Sequence, residues 1–152
     1  MASQGARSEL TPKVVDSLYV EAMLLADEAR AYFDAGGRED RLLLDPLARV
    51  GFACESLKVT TRLMQVIAWL LTRRAVAAGE ISPASAESPE RRLGDAPESD
   101  DELVERLPDS AVALIRSSQE LYDRIRRIED GAAPEPQPSP ARTLMSRLQR
   151  SF

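Results

Sequence analysis

The strongest constraint on this chain is a run of mostly apolar or small residues at alternating steps of three and four over residues 47–78. A mean period of about 3.5 residues is typical of a helix that packs lengthwise on another helix. Asp45 and Pro46 precede the run as a start signal, and Gly79 follows it as a stop signal. We predict a long central helix with the packing stripe Leu47, Val50, Cys54, Leu57, Thr61, Met64, Ala68, Leu71, Ala75 and Ala78.

Two further segments have helical spacing. Thr11 and Pro12 start the first, which we expect to stop at the Gly36-Gly37 pair, and the third lies around Pro108 and stops at Gly131. Their stripes are Val14, Leu18, Ala22, Leu25, Ala29 and Tyr32 in the first, and Leu107, Ala111, Leu114, Ser118, Leu121, Ile125 and Ile128 in the third. The pattern predicts an all-α fold, an antiparallel three-helix bundle over residues 11–131.

Segments poor in large apolar residues separate these elements. Residues 80–98 are rich in Pro, Ser and Glu, and we predict a flexible linker there between the second and third helices. We also predict a disordered N-terminus over residues 1–10 and a disordered tail over residues 132–152. Between the linker and the third helix, Ser99 and Glu102 have the spacing of a helix capping box.

The last twelve residues form a short basic amphipathic segment behind a Pro-rich spacer. A basic amphipathic peptide on a spacer attached to an acidic body is typical of an interaction peptide. The alternative is that this segment folds back onto its own bundle and binds no other protein. The candidate partner-binding residues of this segment are Arg142, Leu144, Met145, Arg147, Leu148, Arg150 and Phe152. Trp69, which lies one step off the stripe of the central helix, is a further candidate. The alternative for Trp69 is that it packs at the edge of the core.

Composition excludes several kinds of chemistry. The chain has no histidine, and Cys54 is its one cysteine. Ser-His-Asp and Cys-His nucleophile systems, Cys/His zinc sites and internal disulfides are therefore excluded, and a reducing compartment is favoured. We expect no catalytic residue, no cofactor and no metal, with Cys54 as an inert buried thiol on the packing stripe.

Charge and hydropathy bear on partners and location. The net charge of −5 disfavours nucleic acid as a partner. The longest uncharged apolar stretch, Leu63 to Thr72, is shorter than the roughly 20 residues that cross a bilayer, and residues 1–9 lack the apolar run of a secretory signal. We therefore expect a cytoplasmic protein without a membrane partner.

The central helix carries more apolar surface than one stripe. The additional residues Ala53, Leu63, Ile67 and Leu70 widen it, so we expect it to cover more than one neighbour. The apolar core of a bundle of this size is modest beside the entropy cost of ordering it. We predict a homodimer that forms through a second stripe on the long helix.

Several stretches resemble one known family, over roughly residues 10 to 130. These are Ala31-Tyr32-Phe33-Asp34, the run from Phe52 to Gln65 that includes Glu-Ser-Leu-Lys-Val-Thr-Thr-Arg-Leu-Met, Ala68-Trp69-Leu70-Leu71, Gly79-Glu80-Ile81, Leu107-Pro108 and Leu121-Tyr122-Asp123-Arg124-Ile125. They are similar to the RcdA family (regulator of CtrA degradation) of alphaproteobacteria.

The resemblance implies a dimeric three-helix bundle with a disordered C-terminal tail. It also implies a non-enzymatic adaptor in regulated proteolysis that engages the ClpXP protease primed by the response-regulator-like protein CpdR. Such an adaptor tethers cell-cycle substrates such as CtrA, or further adaptors such as PopA. From the residues alone, three alternatives stay open. They are a helical scaffold without a protease link, a transcription-associated factor that uses Arg73, Arg74 and the arginines of the third helix, and an enzyme that uses only Asp, Glu, Lys and Tyr.

Overall fold

A computed structural model describes residues 10–131 and Leu148. Three long helices dominate these residues: α1 (Pro12–Ala31), α3 (Pro46–Ala77) and α6 (Asp109–Gly131). Shorter helices are α2 (Arg38–Leu42), α4 (Pro83–Ala86) and α5 (Asp101–Val104), with a π-helical turn at Tyr32–Gly36 and a 3-10 turn at Pro89–Arg91. The described residues contain no β-strand, and none of their helices is long and apolar enough to span a bilayer.

The start signals of α1 and α3 and the stop signal after α3 operate as the sequence predicts. The Thr11 hydroxyl accepts the backbone N–H of Val14 at 3.2 Å, and the Asp45 carboxylate accepts that of Ala48 at 2.8 Å. Each caps a helix whose first residue is proline. After α3, Gly79 adopts a φ of 73°, the left-handed conformation that glycine takes without a steric penalty.

The three long helices bury one shared core, which confirms the all-α bundle. Both α1 and α6 pack against α3. The predicted stripe of the third helix is buried except for Ile128, which is half-buried. In α1, Val15 is buried and Val14, which we predicted to lie on the packing stripe, is exposed. The largest fully buried apolar side chains are Val59, Val66, Leu70, Val104, Ile115, Leu121 and Ile125.

The central helix turns the opposite face inward from the one predicted. Its buried residues are Ala48, Gly51, Phe52, Glu55, Val59, Arg62, Leu63, Val66, Trp69 and Leu70. Eight of the ten residues of the predicted packing stripe are exposed instead, and Thr61 and Ala75 are half-buried. Cys54 on this stripe is exposed rather than buried. The reason is that Glu55 and Arg62 both form hydrogen bonds with Ser99, so a face that reads as charged in the sequence lies in the core.

The Gly36-Gly37 pair does not end the first helical region cleanly. The chain widens into a π-helical turn at Tyr32–Gly36 and continues into α2. This turn brings the Phe33 ring to 5.2 Å from the Phe52 ring, centroid to centroid, in an edge-on arrangement. Burial and a 2.9 Å hydrogen bond to Asp40 raise the pKa of Tyr32.

The segment expected to be a flexible linker, 80–98, is packed onto the bundle. Ala86 and Leu93 are buried, the backbone N–H of Gly94 donates to Gln65 at 3.0 Å, and the Tyr122 hydroxyl donates to the Gly94 carbonyl at 2.6 Å. The structure differs from the expectation because this segment is ordered by side chains of α3 and α6 that are distant in sequence.

Two smaller predictions also change. Asp100 rather than Ser99 caps α5, by accepting the N–H groups of Glu102 and Leu103. Leu10, which we placed in a disordered N-terminus, packs against the core. The remainder of that predicted segment, residues 1–9, and the predicted disordered tail apart from Leu148 lie outside the described residues.

Candidate protein-binding surface

The outward side of α3 is apolar along most of its length. We define the exposed α3 face as the ten stripe residues Leu47, Val50, Cys54, Leu57, Thr61, Met64, Ala68, Leu71, Ala75 and Ala78. Leu57 is 67% exposed and Met64 is 65% exposed. Within α3, which is described throughout, every exposed residue from Val50 to Leu71 is uncharged, although 30% of the whole chain is charged. A continuous apolar strip of this kind is typical of a surface that another protein covers.

The two ends of this face have different shapes. At the N-terminal end, Leu42, Leu43 and Leu47 project into solvent, and Leu43 is 86% exposed. At the C-terminal end, a cavity of about 440 Å³ lies between the start of α1 and the end of α3. Its lining includes Val15, Leu71, Ala75 and Ala78. The lining also includes the charged Asp16, Arg74 and Glu80. One end therefore offers large apolar side chains, and the other offers a hollow with both apolar and charged residues in its lining.

A buried polar cluster orients the inner face of α3. The Arg62 guanidinium donates to the Ser118 hydroxyl at 3.2 Å, to the Pro97 carbonyl at 3.2 Å and to the Ser99 hydroxyl at 2.6 Å. Ser99 in turn donates to the fully buried Glu55 carboxylate. Burial lowers the pKa of Arg62 from its ordinary value, and the charge of Glu55 opposes that shift. The cluster fixes the rotation of α3, which directs the exposed α3 face to solvent.

Glu55 also has a partner on its own helix. Lys58 donates to the second Glu55 oxygen at 3.0 Å. The Glu55 carboxylate, with no exposed surface, thus has hydrogen-bond partners on both oxygens. These hydrogen bonds offset the free-energy cost of removing the charged carboxylate from water.

Trp69, one of the candidate partner-binding residues, is in the core. Its side chain is 2% exposed, and its indole N–H donates to the Glu129 carboxylate at 2.7 Å. The Arg73 guanidinium lies 5.0 Å from the centre of the indole ring. The ring is therefore covered by this chain's own residues, in agreement with the core-packing alternative of the sequence analysis.

The other candidate residues belong to the terminal segment. Leu148 is described and is 46% exposed. Arg142, Leu144, Met145, Arg147, Arg150 and Phe152 lie outside the described residues. Among the described residues, no group of three or more Asp, Glu or Cys side chains is placed to hold a metal ion.

The three-and-four spacing of the sequence correctly groups the residues of the exposed α3 face, but we had expected that group to lie in the core. One signal for the correct orientation was available. Glu55 and Arg62 stand seven residues apart, in line with Val59 and Val66, and such a mixed stripe is compatible with burial when the charges can pair. What the structure shows here is an exposed apolar surface along α3.

Comparison with known proteins places the chain in a family. Residues 6–152 match the family described as "Protein of unknown function (DUF1465)". The crystal structure of RcdA from Caulobacter crescentus is similar to this chain, with 36% sequence identity and a TM-score of 0.64. The match covers 80% of this chain and 92% of that one. No curated protein matches the chain. The shared bundle, the sequence identity and the coverage together show that the chain belongs to the RcdA family.

Proposed function

We propose that this protein is a non-enzymatic adaptor in regulated proteolysis. In this proposal it acts in the cytoplasm and tethers cell-cycle regulators, either CtrA-like substrates or further adaptors like PopA, to the CpdR-primed ClpXP protease. The observation that carries the proposal is the similarity to RcdA, at 36% identity over 80% of the chain. An adaptor works by raising the local concentration of a substrate at the protease, and flexible tethers reach effective concentrations of about millimolar.

The structure supports a binding role through the exposed α3 face. Its apolar residues have no covering element among the described residues of this chain. Removing such a strip from water is the main driving force of most protein associations. We propose that the protein is a homodimer whose two copies meet through the exposed α3 face. The second stripe expected from the sequence does not serve, because its residues Leu63 and Leu70 are buried in the core.

A second binding element in the proposal is the terminal segment, residues 141–152. It carries Arg142, Arg147 and Arg150 beside the apolar Leu144, Met145, Leu148 and Phe152. The Pro-rich stretch from residue 132 to 140 separates it from α6, which ends at Gly131. A basic amphipathic peptide on such a spacer is suited to bind or regulate a second protein while the bundle holds the first.

Affinity purification from the native cytosol tests the proposal. The full chain and a version without residues 141–152 are each used as bait, and bound proteins are identified by mass spectrometry. We expect ClpX and a CpdR-like response regulator with the full chain. Failure to recover either protein, from cells that contain both, would contradict the protease link.

The second candidate function is a helical scaffold or transcription-associated regulator with no protease link. The transcription-associated function would require the basic side chains of Arg73, Arg74 and α6 to bind the phosphate groups of DNA. Arg73 lies 3.5 Å from Glu87 and Arg74 lies 3.2 Å from Asp16, so both already face a carboxylate. A salt-sensitive shift of DNA on a native gel would favour this function over the adaptor role.

A further inference from the structure

We propose that a groove between α1 and α6 is a docking site for a basic amphipathic helix, and that its occupant is residues 141–152 of this same chain. The inference goes beyond the proposed function, because it concerns the chain alone and needs no protease link. It follows from the charge and shape of the groove, from the order of residues in the terminal segment and from the length of the spacer between them.

The groove joins apolar surface to carboxylates. It is a cavity of about 280 Å³ whose lining includes Leu24, Leu25 and Glu28 of α1 and Glu120 and Arg124 of α6. Leu24 is exposed and Leu25 is half-buried, so both present apolar surface to the groove. The groove contains no residue of α3, so an occupant here leaves the exposed α3 face open.

Negative charge is in excess in this groove. Arg124, the cation of its lining, donates to Glu21 at 2.5 Å, so these two charges offset each other. Glu28 and Glu120 lie on opposite sides of the groove and are exposed. Neither forms an ion pair with any of the residues that the structure describes. One carboxylate on each side is therefore available to a cationic ligand.

The terminal segment has the residue order of a helix that suits such a groove. At helical spacing Leu144, Leu148 and Phe152 share one face, because they recur every fourth residue. Leu148 has helical backbone in the structure. At about 100° per residue, Arg142 and Arg147 lie on the two sides of that face. An apolar face with a cation on each side is complementary to leucines with a carboxylate on each side.

The spacer is long enough to bring the segment back to its own bundle. Glu120 lies 11 residues before the end of α6 at Gly131, which is about 16 Å at ~1.5 Å per residue. Residues 132–140 cover about 28 Å when extended at ~3.1 Å per residue. A tether of this length holds the segment at an effective concentration of about millimolar, so even a weak contact is occupied.

Docking and the binding of a second protein use the same side chains of residues 141–152. A protein that binds this segment therefore has to displace it from the groove.

Crosslinking of the full-length protein tests the site and its occupant together. Cys54→Ser removes the native thiol, and Leu24→Cys in the groove is combined with Leu144→Cys or with Leu148→Cys in the segment. The matched control has Ala77→Cys in place of Leu24→Cys, because Ala77 is exposed at the end of α3 and lies outside the groove. Disulfide formation under mild oxidation is followed on a non-reducing gel, which separates an internal disulfide from a covalent dimer. Circular dichroism reports the folding of each variant.

We expect at least one groove pair to form an internal disulfide about tenfold or more faster than its control, because docking raises the local concentration of the two thiols. Glu28→Gln combined with Glu120→Gln should slow this reaction about fivefold, because the arginines of the segment lose their partners. Glu39→Gln combined with Glu105→Gln removes the same two charges at exposed positions outside the groove and should leave the rate unchanged.

Three outcomes would overturn the inference. Internal disulfides that form no faster than the controls in both groove pairs would show that the segment does not dock there. Covalent dimer as the main product would assign the groove to the segment of a second copy. Equal rates in the two glutamine variants would show that charge does not direct the contact. Recovery of ClpX in the affinity purification is a separate measurement, so failure of the docking and failure of the adaptor role are distinguishable.

Discussion

Trp69 and Glu129 are joined by a buried hydrogen bond of 2.7 Å, from the indole N–H of α3 to a carboxylate oxygen of α6. The same oxygen accepts the backbone N–H of Leu93 at 2.8 Å, from the segment that crosses between the two helices. Arg92 and Arg126 approach the other oxygen at 3.5 and 3.8 Å. One carboxylate therefore ties together two helices and the connecting segment.

Removal of this carboxylate should destabilise the bundle. Glu129→Ala leaves two buried N–H donors without an acceptor, and we expect a loss of about 2–4 kcal/mol in the free energy of unfolding. Glu129→Gln keeps an acceptor and should lose less. Urea unfolding followed by the fluorescence of Trp69, the one tryptophan of the chain, measures both. Asp130→Ala, at the exposed neighbouring position, is the matched control, and an equal loss in that variant would contradict this role of Glu129.

A second prediction concerns the cluster around Arg62. Arg62→Ala removes the donor to Pro97 and Ser99 and leaves Glu55 buried with less compensation. We expect a loss of about 1–3 kcal/mol in the free energy of unfolding, because Ser118, Pro97 and Ser99 lose a charged hydrogen-bond donor. Glu55 keeps its bonds to Lys58 and Ser99. Hydrogen exchange of the backbone should rise most over residues 95–99.

The control for that variant is Arg91→Ala, at an exposed arginine of the 3-10 turn. Exchange over residues 95–99 that stays as slow in Arg62→Ala as in Arg91→Ala would show that Arg62 does not order the segment.

The third prediction separates surface from core on α3. Leu57→Glu places a charge in the middle of the exposed α3 face and should weaken self-association by about tenfold or more while the thermal unfolding midpoint changes little. Leu24→Glu is a closely matched control, since Leu24 is 65% exposed on α1 and Leu57 is 67% exposed. Sedimentation velocity over a range of concentrations measures association. Equal association of the two variants would show that the exposed α3 face is not the contact.

The fourth prediction concerns the terminal segment. Deletion of residues 141–152 should leave helicity and self-association intact, because the buried core and the exposed α3 face lie within residues 10–131. The same deletion should weaken the delivery of at least one substrate in a reconstituted degradation reaction. Replacing Arg142, Arg147 and Arg150 by Gln in the full chain tests the charge alone. Unchanged delivery of every substrate by the deletion protein would refute a role for the segment.

Much of the fold could be predicted from local sequence signals. Helix starts are marked by Thr11 and Asp45, which each accept a hydrogen bond from a backbone N–H three residues later, and by the prolines that follow them. The helix α6 has apolar residues on one side only. Such signals need no knowledge of distant residues. The existence of the three long helices follows from them.

The orientation of α3 could not be predicted in the same way. Both of its sides carry apolar residues, and a mean period places residues together on one side without saying which side is buried. The side with Glu55 and Arg62 is buried because residues distant in sequence complete their hydrogen bonds. Ser99 lies 44 residues from Glu55, and Ser118 lies 56 residues from Arg62. The packing of residues 80–98 depends in the same way on Gln65, Tyr122 and Glu129.

The central claim, that this protein delivers other proteins to a protease, is tested most directly by reconstituted degradation. ClpXP, a CpdR-like protein and a CtrA-like substrate are combined with and without this protein, and loss of substrate is followed with time. We expect the substrate to be degraded faster when the protein is present, because the protein binds the substrate and brings it to the protease. A degradation rate that does not change over a full titration of the protein would contradict it.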